Sequence, residues 1–75
     1  EDEILSIIHQ TPGVGSPHNL RTRHIGNNIA IEAHIRVDGE MTVRSAHELT
    51  REIEHHLRQK YGEETHIALH VEPKK

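Results

Sequence analysis

Residues 28–37, NIAIEAHIRV, constrain the fold most: Ile29, Ile31, Ala33, Ile35 and Val37 alternate without a break with Ala30, Glu32, His34 and Arg36. Side chains alternate across an extended chain, so the pattern demands a strand with one face in a core. His34 then lies on the opposite face. The preceding stretch, HNLRTRHI at 18–25, is joined to it by Gly26 and Asn27. Both tolerate positive φ, and the pair of segments predicts a tight antiparallel hairpin. A third alternation occurs in HIALHVEP at 66–73, with Ile67, Leu69 and Val71 on the core side and His66, Ala68, His70 and Glu72 on the other.

Two segments follow a helical period instead. Residues 3–11, EILSIIHQT, space Ile4, Leu5, Ile7 and Ile8 for a short helix. Glu1, Asp2 and Glu3 put negative charge where a helix start favours it. The two prolines and two glycines of PGVGSP, 12–17, end it in a loop. After the turn DGEM at 38–41, Thr42 is the predicted N-cap of a long helix reaching to about Tyr61, with Gly62 closing its end. Val43, Ala46, Leu49, Ile53, Leu57 and Tyr61 form one apolar stripe on it, and Arg44, Glu48, Arg51, Glu52, Glu54 and Arg58 cover the rest. The order helix, strand, strand, helix, strand predicts an α+β fold. It is a two-layer α-β-β-α-β sandwich, with a three-stranded mixed sheet and both helices on one face. A right-handed crossover makes the second and third strands parallel where they adjoin. The other sheet face stays open, ready for a ligand or a second subunit.

At 75 residues the chain is expected to be a single domain, 1–75. That is near the size where burial only just outweighs chain entropy, so a partner chain or a metal would add useful stability. There is no Cys, which excludes a disulfide framework and any thiolate metal site, so a metal must be held by nitrogen and oxygen. With Tyr61 the only aromatic residue and a formal charge of -3, the chain offers neither stacking platforms nor a basic stripe, and nucleic acid is not an expected partner. No apolar run reaches membrane-spanning length and no signal peptide is present, so the fragment as given is expected to be soluble. The start at Glu1 without Met predicts an excised domain. Gly13 and Gly15 are not followed by a phosphate-loop Lys, no Ser, His and acid arrangement is legible, and nothing suggests a substrate cleft; the chain is not expected to be an enzyme.

Nine histidines are the outlier. His34 and His70 share the face opposite the core, His47 lies in the first turns of the long helix, and Glu72 follows His70 on its own face. Three elements can converge there. Neutral imidazoles with one carboxylate suit a zinc-like cation, and a carboxylate can bridge two ions. The spacing is not that of a local finger motif, so the residues alone leave open a metal site or ordinary half-exposed histidines. His66 is too far along an extended chain to share one ion with His70. His55 and His56 point about 100° apart on a helix, and His9 and His24 suit solvent. Arg21 and Arg23 suit phosphate or carboxylate, or salt bridges to the acidic helices or a partner subunit.

HNLRTR at 18–23, AHIRV at 33–37, SAHELTREIEHHL at 45–57 and LHVEP at 69–73, in this order, resemble the C-terminal cytosolic domain of cation diffusion facilitator transporters. The resemblance covers nearly the whole chain. It implies a metallochaperone- or ferredoxin-like fold. It also implies metal ligands at His18, His34, His47, His70 and Glu72, with Glu72 the bridging candidate, and Zn2+ or another divalent transition metal as the ion. Asn19 departs from the family, which usually has Asp there. A homodimer is implied, attached to a membrane domain of the same full-length chain and lying at the cytoplasmic face of a membrane. Its role would be to sense metal and control efflux allosterically. The alternative is a free-standing metal carrier or buffering protein of similar fold, although such carriers usually rely on paired Cys.

Overall fold

The computed structural model describes residues 2–74; Glu1, expected at an acidic helix start, and Lys75 lie outside the described residues. The elements run α1 (Asp2–His9), β1 (His18–Ile25), β2 (Asn28–Val37), α2 (Val43–Tyr61) and β3 (His66–Pro73). They form one three-stranded sheet in the order β1-β2-β3, antiparallel between β1 and β2 and parallel between β2 and β3. The α+β sandwich expected from the pattern is the one that forms. Among the described residues no helix is long and apolar enough to cross a membrane.

Central strand β2 buries Ile31, Ala33, Ile35 and Val37, and the helices supply Ile4, Ile8, Ile53 and Leu57 to the same core. The hairpin turns at Gly26, whose φ of 61° is one that L side chains rarely adopt. Helix α2 starts where its capping chemistry dictates: the Ser45 amide donates to Thr42 Oγ1 at 3.0 Å. At the other end the Gly62 amide donates to the Arg58 carbonyl at 2.8 Å. Thr42→Ala is therefore expected to cost about 1 kcal/mol, read from the midpoint of urea unfolding with an unchanged slope. The helices are tied together where Tyr61 donates its hydroxyl to Glu3 at 2.8 Å and Lys60 approaches the same carboxylate at 3.2 Å. The Tyr61 and Lys60 hydrogen bonds hold the Glu3 carboxyl below the usual range, while burial and Glu3 raise the Tyr61 phenol.

Two residues expected in the core are not there. Val43 is 88% exposed and Val71 41% exposed. Strand β3 is an edge strand, and the first turns of α2 leave a shallow groove against it. Val43, Ala46, His47 and Thr50 line one side of this groove and Leu69 and Val71 the other. The apolar pattern continues past the point where the two layers close on each other.

Candidate metal centre

Cross-strand pairing arranges the open face of the sheet in rows, because residues directly opposed on neighbouring strands point the same way. One row is His18, His34 and His70, contributed by β1, β2 and β3. The next row toward the Pro73 end of β3 is Arg36 and Glu72. In the other direction come Arg21, Glu32 and Ala68, then Arg23, Ala30 and His66.

His18 reaches its row only through an irregularity. Leu20 packs against the core, so plain alternation would send His18 to the core side as well. Between His18 and Arg21, however, the register shifts: β1 advances three residues while β2 advances from His34 to Glu32. The extra residue is a β-bulge that turns His18 to the open face. Asn19 lies in it with φ of 54°. Asn is one of the few residues that enter this left-handed region readily, which gives the residue at this position a backbone role.

The groups in the histidine row and its neighbour are in contact. His34 Nδ1 lies 2.8 Å from Glu72 Oε2, and His18 Nε2 lies 3.3 Å from Glu72 Oε1. The His18 and His34 rings are 5.3 Å apart, and the His34 ring stacks on that of His70 at 4.7 Å and 22°. His70 itself turns its Nε2 to Glu32 at 3.0 Å. The His34 hydrogen bond, aided by the charges of His18, His34 and Arg36, holds the Glu72 carboxyl below its ordinary range. It is a carboxylate throughout the neutral range.

His18, His34 and Glu72 each offer one donor atom, and these lie within 4.8 Å of one another. An imidazole nitrogen binds zinc at 2.0–2.1 Å, so a tetrahedral ion sets its donors roughly 3.4 Å apart. The three groups fit such an ion with small side-chain adjustments. All three are half-buried, so the site has walls yet stays reachable. His18 Nδ1 is buried without a hydrogen-bond partner among the described residues, so no second bond locks the ring and it can turn.

Of the five residues expected as ligands, three are gathered, His70 stacks beside them, and His47 stands apart. His47 is exposed on α2 and lines the groove with Val71. Val71 and Glu72 point to opposite faces of β3, so His47 cannot reach the same protomer's cluster. His9, His24, His55, His56 and His66 are exposed outside it, His55 and His56 with rings 5.9 Å apart. Glu32 and Arg36 were not anticipated as neighbours of the site; their membership follows from register, which a polar face alone does not reveal.

Comparison with known proteins agrees with this reading of the fold. The family described as "Cation efflux protein, cytoplasmic domain" matches residues 1–74. The metal-bound C-terminal domain of the CzcD transporter from Thermotoga maritima superposes with a TM-score of 0.85 at 38% identity, covering 96% of this chain and 84% of that one. The Zn form of CzrB superposes with a TM-score of 0.87 at 29% identity, covering 97% and 83%. Among full-length relatives, the cation-efflux pump FieF of Yersinia pestis is 31% identical over 71 residues, which are 95% of this chain and 23% of that protein. Protein p34 of Rickettsia prowazekii is 32% identical over the same length, with the same coverage. The chain thus spans 23% of the length of the curated relatives it matches.

Proposed function

Because the chain belongs to the cytoplasmic-domain family of cation efflux proteins, we propose that it is the metal-sensing, dimerising part of a divalent-cation exporter. The observation that carries this is the gathering of His18 Nε2, His34 Nδ1 and the Glu72 carboxylate on the open sheet face. The transport path would lie in a membrane domain of the full-length protein, and the present domain would regulate it without catalysis.

His18, His34 and Glu72 would hold the ion, and His70, stacked on His34, would either complete its shell or accept a second ion bridged by Glu72. Nitrogen and oxygen donors without thiolate suit Zn2+ first and other divalent transition metals after it. The metal would supply two positive charges to a face whose acid is already engaged. The open face, together with the β3 edge where His47 lines a groove with Leu69 and Val71, is free to meet a second copy of the chain. His47, which its own protomer cannot use, is assigned to the site of that second copy. Metal would then bridge the two copies and favour a tighter dimer, and transport would follow the dimer equilibrium. A ligand that binds only the tight state stabilises it by about 2.7 kcal/mol at a hundred times its Kd.

Imidazoles bind metal only when neutral, so zinc affinity should fall as pH is lowered from neutral into the acid range. The low carboxyl value of Glu72 leaves the acid ionised across that window, so the loss follows the histidines. Calorimetric zinc titration should show this fall, and small-angle scattering should show a more compact dimer on adding zinc near neutrality. Affinity that ignores pH would remove the histidine site; an unchanged scattering profile would remove the regulatory mechanism.

A further inference from the structure

The two rows beyond the histidines form a second feature of the open face. Arg21 and Arg23 on β1, Ala30 and Glu32 on β2, and His66 and Ala68 on β3 surround a shallow concavity. Ala30 and Ala68, with single-carbon side chains, keep its floor low. Its rim is cationic on the β1 side. Arg21 opposes Glu32 directly in register, the arrangement in which a cross-strand ion pair is expected. That pair is not made: Glu32 turns its carboxylate to His70 at 3.0 Å. Among the described residues, neither Arg21 nor Arg23 has an ion-pair partner, and both lie in rows of the open face, away from the helical layer.

We propose that this concavity binds an oxyanion of the phosphate class, with Arg21 and Arg23 as its clamp and His66 closing the far side. Residues two apart on a strand are separated by about 6.7 Å. Two guanidinium forks at that spacing suit a ligand with several phosphoryl oxygens better than a single carboxylate, since each fork can donate two parallel hydrogen bonds. The alanine floor leaves room for a small ligand. The site is distinct from the metal centre, because none of His18, His34 or Glu72 lines it, and it does not depend on that reading. The phosphate can come from solution or from a lipid headgroup, which share the same chemistry.

The test uses the 75-residue chain freed of metal by chelator. Inorganic pyrophosphate is titrated by calorimetry at low ionic strength into the wild-type chain, the Arg21→Gln/Arg23→Gln double variant and Glu72→Ala. Vesicles of phosphatidylglycerol are compared with vesicles of phosphatidylcholine by co-sedimentation. The expected result is saturable pyrophosphate binding that weakens by about tenfold or more in the double variant. Glu72→Ala should retain it, which separates the anion site from the metal centre. Phosphatidylglycerol binding that depends on both arginines and is competed by pyrophosphate assigns the headgroup as source; pyrophosphate binding without vesicle binding assigns the free anion. Both exchanges are on the surface, so an unchanged circular dichroism spectrum certifies the fold. Equal binding by wild type and double variant, or no binding to either probe, overturns the proposal. So does loss of self-association in the double variant without any pyrophosphate binding by wild type, which would give the arginines to the carboxylates of a second copy.

Discussion

Glu72→Ala is expected to lower zinc affinity by at least about a hundredfold at about neutral pH. Among the described residues, Glu72 is the one acid in contact with both His18 and His34, at 3.3 and 2.8 Å, so its removal takes away the anionic donor and the group that orients both rings. Changes to groups that only orient metal ligands already cost ten- to a hundredfold, and here both effects fall on one side chain. The measurement is competitive zinc titration against a chromophoric chelator. His55→Ala/His56→Ala serves as control, because those exposed rings on α2 lie away from the cluster and should leave affinity unchanged. Equal losses in the two variants would mean diffuse surface binding. His47→Ala should act differently from both, weakening the zinc-dependent dimer while leaving each protomer's three-residue cluster in place.

Ile53→Ala is the largest expected change in stability. Ile53 is fully buried at the centre of α2, in the core with Ile31, Ile35 and Leu57. Truncation of a buried Ile costs roughly 2–5 kcal/mol, through lost transfer energy and the cavity left behind. For a domain of this size each kcal/mol lowers the melting temperature by about 4–8 °C. A drop on the order of 10 °C or more in metal-free calorimetry is expected, and saturating zinc should stabilise the variant and the wild type by the same free energy. A drop of under about 2 °C would mean that the core relaxes fully around the deletion, contrary to its packing.

Much of the fold was legible because each local signal agreed with the others. The strand limits 18–25 and 28–37, the Thr42 cap and the Gly62 stop are all present in the structure. Each depends on a short-range property: alternation, the φ tolerance of Gly, a side-chain oxygen facing a free amide. The errors lie where an element leaves the core. Val43 and Val71 continue the apolar period, yet the edge of β3 and the start of α2 do not close on each other, and periodicity carries no information on where a neighbouring layer ends.

The site divides in the same manner. His34, His70 and Glu72 were assigned to the open face by alternation alone, and the parallel register of β2 with β3 then brought His34 opposite His70. The placement of His18 depended on a bulge, for which Asn19 is at most a faint signal, because Asn also occurs in ordinary strands and turns. His47 lies in the first turns of α2 as read from the sequence, and it lines a groove on the helical side of the sheet, a matter of which face the crossover helix covers.

The amino-acid sequence by itself determined the element order, the polar face of β2 and β3, and the exclusion of thiolate chemistry, since period, capping and composition act over a few residues. Only the tertiary structure decided which polar groups meet. Contacts such as His18 with Glu72, and Glu32 with His70 in place of Arg21, are set by strand register and side-chain rotamer across distant parts of the chain. A one-residue bulge is enough to exchange the faces on which they occur.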